Sequence, residues 1–206
     1  MCGQRLCICK IVVAVVKSDV EKIILRLLES IPNEDSRREG LIKTPLRVAQ
    51  AMDFVLSGYS KDPRQVLRSA VFAHESRQMV VVRDIEFYSL CEHHLLPFFG
   101  HVSIGYIPDG EVVGLSKLSR VVEIYARRLQ IQERMTNEIC NAISEGISNK
   151  GVIVRCEARH LCMQMRGVEK SDSVTVTLEA TGCFASDAAM KQDFLSLLTK
   201  PEEKRD

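Results

Sequence analysis

Two short clusters of cysteine and histidine in this 206-residue sequence have the residue types of a metal site. The first cluster is Cys91-Glu92-His93-His94, which places a thiol and an imidazole at Cys-x-x-His spacing. The second is His160-Leu161-Cys162. Thiolate and imidazole ligands favour zinc, whereas magnesium and calcium prefer oxygen ligands. The two clusters therefore predict a zinc site built from residues far apart along the chain.

The spacing leaves open how many of these side chains bind the metal. Cys91, His94, His160 and Cys162 together would complete a tetrahedral structural site, as in a zinc-stabilised binding or regulatory protein. Three protein ligands would leave a position for water, whose pKa the metal lowers towards neutrality, as in an enzyme. If the strand predicted over Val152–Ala158 continues, His160 and Cys162 project from the same face, because side chains alternate along a strand.

A second candidate site lies in the segment GLSKLSR, which starts at Gly114 where a predicted strand gives way to a helix. Ser116 near the N-cap, with Lys117 and Arg120 in the first turn, would combine backbone N–H groups with cations and so bind an anion such as phosphate. Cations at a helix N-terminus oppose the macrodipole unless an anion binds there, which points to a function; a solvated basic face is the open alternative.

Two further charged residues extend these sites. Arg166 follows the second cluster and can bring another guanidinium to it. Glu133, in the segment Gln132-Glu133-Arg134, can read a hydrogen-bond-donor edge such as that of guanine; a solvated glutamate is the alternative.

Composition excludes several classes of protein. With 28 Lys and Arg against 27 Asp and Glu, the net charge of +1 does not predict a nucleic-acid binder. No apolar stretch approaches the roughly 20 residues of a membrane span, and no Walker P-loop or zinc-deaminase signature is present. Eight cysteines are too few for a disulfide scaffold of this length. We therefore expect a cytoplasmic protein without a nucleic-acid or membrane partner.

The hydrophobic pattern predicts the elements that position these residues. Helices are predicted over residues 18–31, 44–58, 62–72, 116–128, 132–147 and 188–198, with Thr44 and Ser116 as N-caps, and strands over 79–90, 101–107, 152–158 and 173–181. The order predicts an α+β fold with an antiparallel ββααββ core. We divide the chain into a tail (1–17), a helical segment (18–75) and a zinc-containing catalytic domain (76–206).

Several separated motifs resemble the GTP cyclohydrolase I family over about residues 18–198. They are Thr44-Pro45 with Arg47-Val48-Ala49, CEHHLLPFFG from Cys91, GYIP from Gly105, GLSKLSR from Gly114, QER from Gln132, HLCMQMRGVEK from His160, and FLSLL near the end. Their number and order make the resemblance more specific than any one motif.

The resemblance implies a role for each matching residue. It makes Cys91, His94 and Cys162 the zinc ligands, which favours an open, catalytic site, and His93 and His160 proton-transfer groups. Ser116 matches an acid–base relay residue. Glu133, with Gln132 beside it, matches the residue that recognises guanine. The residues matching the triphosphate contacts are Ser116, Lys117, Arg120, Arg166 and, from a neighbouring subunit, Arg47.

The implied fold is the tunnelling fold, whose ββααββ order agrees with the predicted core. The implied reaction is hydrolytic opening of the imidazole ring of GTP, release of formate and rearrangement to 7,8-dihydroneopterin triphosphate, which begins pterin and tetrahydrofolate biosynthesis. Similar members form a homodecamer, a dimer of pentamers, with sites at subunit boundaries. Another tunnelling-fold enzyme, acting on pterins or deazapurines, is the alternative, and the cationic residues favour a triphosphate substrate.

Overall fold

The computed structural model describes residues 18–75 and 77–199. The predicted tail, with Cys2, Cys7 and Cys9, lies outside these ranges. Contacts within the chain divide it into two compact units, with the boundary between Ser60 and Lys61. The assignment of residues 76–206 as a catalytic domain stays a prediction.

The first unit is helical. It contains α1 (residues 18–29), α2 (Glu39–Ile42), α3 (Thr44–Val55) and a 3-10 helix (Ser57–Ser60). The predicted N-cap role of Thr44 is wrong, because α3 begins at Thr44 and Lys43 holds the N-cap position. The Thr44 hydroxyl instead donates a hydrogen bond back to the Gly40 carbonyl at 3.3 Å.

The second unit contains two sheets. Its strands are β1 (Val71–Ala73), β2 (Val80–Cys91), β3 (Pro97–Pro108), β4 (Glu111–Val113), β5 (Leu129–Gln130), β6 (Asn149–His160) and β7 (Thr175–Ala180). The larger sheet has the order β5-β2-β3-β6-β7, and β1 pairs with β4. Pairing between β2, β3, β6 and β7 is antiparallel as predicted, while the short β5 runs parallel to β2.

Helices cover both faces of the larger sheet. They are α4 (Pro63–Arg68), α5 (Leu115–Ala126), α6 (Gln132–Gly146), α7 (Leu161–Gln164), α8 (Cys183–Ser186) and α9 (Ala188–Leu198). On one face, α4, α5 and α6 pack their apolar side chains against β2, β3 and β6. On the other, Phe184 and Phe194 from α8 and α9 pack against Ile107 and Ile153. The predicted α+β class with a ββααββ core is confirmed.

Two helices of the structure have different ends from those that the sequence predicts. The helix predicted over 62–72 ends at Arg68, because Val71–Ala73 pairs with β4. Only a partner distant in sequence creates so short a strand, so local periodicity does not reveal it. The helix predicted from Ser116 begins at Leu115 with Gly114 as N-cap, so Ser116 lies within the first turn and does not cap α5.

Two of the remaining cysteines belong to the core. Cys140 and Cys156 are buried, and burial raises the pKa of Cys140 to about 11 and that of Cys156 to about 12. Thiols of this kind are unreactive near neutral pH. No helix within the described ranges is long and apolar enough to cross a bilayer.

β3 and β6 approach each other closely near the cysteine and histidine clusters, and this close approach requires a glycine. Gly100 on β3 pairs with Ala158 on β6, and a Cβ atom at Gly100 would lie 1.9 Å from the Glu157 carbonyl oxygen. Because that oxygen belongs to backbone within the sheet, it has little freedom to move. Only glycine fits this position of the pairing.

We predict that Gly100→Ala lowers the free energy of unfolding by on the order of 1–3 kcal/mol or more, because the strands must separate. Urea denaturation measures this. The matched control is Gly114→Ala, whose Cβ would meet Ala70 Cβ at an ordinary 3.5 Å, and its effect should stay within about 1 kcal/mol. Equal losses in the two variants would contradict the prediction.

Candidate active site

The ends of three strands meet at one end of the larger sheet. β2 ends at Cys91 and β6 ends at His160, while β3 begins there at Pro97. Leu90 pairs with Pro97, and Phe98 pairs with His160. This register brings the two cysteine and histidine clusters to the same end of the sheet, although they lie far apart in the sequence.

The turn between β2 and β3 folds the first cluster back on itself. Leu95 donates its N–H to the Cys91 carbonyl at 2.8 Å, and Cys91 donates its N–H to the Leu96 carbonyl at 2.9 Å. Leu95 has a φ of 55°, a left-handed conformation that is strained for a bulky side chain. The tight turn places His94 Nδ1 3.8 Å from Cys91 Sγ.

Cys162 completes a group of three ligand atoms. It lies in α7, directly after β6, and its ligand atom and those of Cys91 and His94 all lie within 4.8 Å of one another. Thiolate and imidazole ligands at tetrahedral positions around zinc would lie about 3.6–3.8 Å apart, given Zn–S and Zn–N bonds of about 2.3 and 2.0–2.1 Å. The spacing of these atoms therefore fits a metal ion after small adjustments.

The burial and charge of the group also suit a cation. Cys91 is buried, Cys162 half-buried and His94 exposed, so the group opens to solvent on one side. Burial and the neighbouring Cys91 thiol raise the pKa of the Cys162 thiol, while the charge of Arg166 opposes that rise. A bound divalent cation would favour both thiolates by compensating their charge.

His160 does not join this group. Its predicted projection beside Cys162 from a continuing strand is wrong, because β6 ends at His160 and the chain turns into α7. Its Nε2 lies 2.8 Å from Gln132 Oε1, and its ring stacks on Phe98 with centroids 4.7 Å apart. Burial lowers the pKa of His160 below its ordinary value, and the negative charge of Glu133 only partly opposes this shift.

The start of α6 holds the predicted base-recognition residues in different surroundings. Gln132 is 1% exposed, and its side chain contacts the sheet and His160. Glu133 is exposed, and its charge acts on His160. The carboxylate of Glu133 is therefore available to a ligand, whereas the amide of Gln132 is engaged inside the protein.

A polar network that the sequence reasoning missed anchors the turn to α6. Arg134 forms an ion pair with Glu92, and its hydrogen bond is the main cause of the lowered pKa of Glu92. Arg134 Nε also donates to Gln130 Oε1 at 3.0 Å, and Gln130 Nε2 donates to Glu138 Oε2 at 2.7 Å. The only signal in the sequence was that Arg134 completes the QER motif.

His93 is exposed next to this network. Its Nε2 lies 3.9 Å from Glu92 Oε1, and its ring meets that of His94 edge-on, with centroids 6.2 Å apart. His93 therefore lies beside the metal group with an accessible imidazole.

The residues of the predicted phosphate site lie away from the metal group. β3 leaves that group at Pro97, and α5 begins beyond the other end of this strand, where the Val113 N–H donates to the Tyr106 hydroxyl. The 12 residues of α5, about 18 Å of helix, then run back towards β5, which pairs with the end of β2. Within one chain, Ser116 and Lys117 therefore lie at the opposite end of the sheet, and Arg120 lies halfway along α5.

The two remaining predicted phosphate contacts occupy different places. Arg166 is exposed, near enough to Cys162 for its charge to affect that thiol. Arg47 is exposed on α3 in the first unit.

Comparison with known proteins identifies the family. The sequence model for GTP cyclohydrolase I matches residues 20–199. The chain belongs to the GTP cyclohydrolase I family. A GTP cyclohydrolase 1 from Campylobacter curvus is 55% identical over 173 residues, which is 84% of this chain and 91% of that protein. One from Porphyromonas gingivalis is 53% identical, covering 82% and 87%, and one from Campylobacter lari is 51% identical, covering 90% and 97%.

Membership of the GTP cyclohydrolase I family places this chain among enzymes and accounts for the architecture. The two strands, two helices and two further strands around the larger sheet are those of the expected tunnelling fold. The Cys91, His94 and Cys162 group is a candidate metal site that fits a metal-dependent family.

We predict that Arg134→Met weakens metal binding on the order of 10-fold to 100-fold, because the turn carrying His94 loses its anchor. Competition between the protein and a chromogenic chelator for Zn²⁺ measures the affinity. The matched control is Arg64→Met, which breaks an ion pair with Glu145 between α4 and α6 and should leave the affinity within about twofold. Similar losses in both variants would show that the network does not support the metal group.

Proposed function

We propose that this protein is a zinc-dependent GTP cyclohydrolase I that converts GTP to 7,8-dihydroneopterin triphosphate and formate. The observation that carries the proposal is the group formed by Cys91, His94 and Cys162, in a chain that belongs to this family over almost its whole length. Two hydrolytic steps consume two water molecules and closure of the new ring returns one, so the reaction uses one water overall.

Zinc fits this group better than magnesium or calcium, because two thiols and an imidazole are its preferred ligands. When bound by three protein ligands, zinc supplies an activated water at near-neutral pH. The exposed side of the group is where such a water and the substrate would enter. His160, held off the metal group by Gln132, is placed to exchange a proton with the purine, and His93 is a second proton-transfer group.

The residues around the metal group support recognition of a guanine nucleotide. The exposed carboxylate of Glu133 can accept hydrogen bonds from the amino edge of guanine. Arg166 supplies a cation close to Cys162 for a phosphate group. These contacts would hold the imidazole ring of the base beside the metal, where positioning lowers the barrier to attack.

The separation of the cationic residues supports a site shared between copies of the chain. Ser116 and Lys117 lie about one helix length from the metal group of their own chain, so we assign them, together with Arg120 in the next turn, to the triphosphate bound at a neighbour's metal group. Arg47 is proposed to contact the phosphates from a further copy, and Ser116 to relay a proton during rearrangement of the ribose.

One edge of the larger sheet supports association. β7 pairs with β6 and, among the described strands, with no other. Val176 and Leu178 on this strand are 51% and 39% exposed. An exposed apolar edge strand is a template for pairing with another chain. The proposed assembly is a homodecamer, a dimer of pentamers, in the cytoplasm, and its product enters pterin and tetrahydrofolate biosynthesis.

The first test is turnover by the zinc-loaded protein. With GTP we expect stoichiometric formate and, after oxidation, pterin fluorescence. ATP is the control, because adenine lacks the N1–H and 2-amino donors of guanine that Glu133 would read, and it should yield neither product. Absence of both products with GTP across neutral pH would contradict the proposed function.

The second test is complementation between two inactive variants. One carries Cys162→Ala and the other Ser116→Ala, Lys117→Ala and Arg120→Ala. If each site joins the metal group of one chain to the cations of another, random mixed oligomers should recover about a quarter of the wild-type activity.

The control for complementation coexpresses Cys91→Ala with Cys162→Ala. Both changes affect the same half of the site, so this mixture should stay inactive. A complete absence of recovery in the first mixture, with mixed oligomers verified by mass spectrometry, would place both halves of the site in one chain.

A further inference from the structure

Gln132 lies at the start of α6, buried between this helix and the sheet. Its side chain is 1% exposed and touches β6, β7 and His160. A buried amide must satisfy its hydrogen-bonding groups within the protein, because each unsatisfied group costs free energy. The arrangement of these partners determines which way the amide faces.

Three oxygen atoms surround the amide nitrogen. Gln132 Nε2 lies 3.2 Å from the Cys156 carbonyl oxygen, 3.0 Å from the Thr175 carbonyl oxygen and 3.2 Å from Thr177 Oγ1. Two of these atoms are carbonyl oxygens, which only accept hydrogen bonds. The opposite orientation of the amide would place its own oxygen against them, so the nitrogen must face the sheet.

A chain of hydroxyl groups reinforces this orientation. The Thr136 hydroxyl donates to the Gln132 main-chain carbonyl at 2.8 Å, and Thr136 Oγ1 lies 2.6 Å from Thr177 Oγ1. With Thr136 donating to the carbonyl, Thr177 donates to Thr136 and accepts from the amide. Every donor in the chain then has an acceptor.

The amide oxygen therefore faces His160 and determines which nitrogen of the imidazole ring carries the hydrogen. Oε1 of Gln132 can only accept, so Nε2 of His160, 2.8 Å away, must carry a hydrogen. Stacking on Phe98, with the two planes 2° apart, holds the plane of the ring. In neutral His160 the other nitrogen, Nδ1, then has a free lone pair, and it has no hydrogen-bond partner among the residues that the structure describes.

We propose that Gln132 is a positioning residue that holds His160 as its Nε2–H tautomer, so that Nδ1 is the atom that exchanges a proton with the substrate. This inference rests on the proposed function, in which His160 transfers that proton. It assigns Gln132 a role through His160, without contact with the substrate.

The direct test is the tautomer of His160 in the zinc-loaded full chain. Magic-angle-spinning NMR of ¹⁵N-histidine-labelled protein at about pH 8, where an ordinary imidazole is neutral, distinguishes protonated from unprotonated ring nitrogens. His160→Ala assigns the signals. We expect a hydrogen on Nε2 in the wild type, and a hydrogen on Nδ1 would overturn the proposal. Since this readout needs no turnover, it stands apart from failure of the proposed function.

Variants test whether Gln132 is the cause. Gln132→Met should yield a mixture of tautomers, whereas Asn149→Met, which removes an amide at the opposite end of β6 from His160, should leave the Nε2–H form. With GTP, Gln132→Met should lower kcat on the order of 10-fold to 100-fold with KM nearly unchanged. An unchanged tautomer in Gln132→Met, or a loss confined to KM, would overturn the proposal. If Gln132→Met does not fold, the wild-type spectrum alone decides.

Discussion

The antiparallel pairing of β3 with both β2 and β6 is the constraint on which the candidate site depends. It aligns the end of β2, the start of β3 and the end of β6 at one end of the sheet. Cys91 and Cys162 then meet, although no local structure connects them. A slip of one residue in this register would reverse every side chain and bury polar groups in the core, so the core itself maintains the geometry of the site.

The rest of the site is built outward from this end of the sheet by polar contacts from α6. Gln132 joins α6 to the sheet and to His160, and Arg134 joins the same helix to the turn that carries His94. The first turn of α6 therefore supports both His160 and the turn that carries His94. The contacts of Gln132 are the more demanding, because each buried polar group needs its partner, and this holds the side chains of Gln132 and His160 in one arrangement.

Sequence reasoning predicted the parts of this account that depend on local pattern or residue chemistry. The core helices and strands follow hydrophobic periodicity, and the two clusters carry recognisable zinc ligands. It failed where distant partners decide the outcome. β1 exists only through β4, and His160 turns away from Cys162 because β6 ends there. The roles of Gln132 and Arg134 depend on contacts across the fold, which spacing along the chain does not encode.

The central claim is that Cys91, His94 and Cys162 bind the metal while His160 remains off it. The most direct measurement is the zinc content of His160→Ala and Cys162→Ala after purification and dialysis against a weak chelator. The three-ligand site predicts wild-type zinc content in His160→Ala and loss of zinc in Cys162→Ala. Loss of zinc from His160→Ala would contradict the account, because it would make His160 a fourth ligand of a closed, structural site.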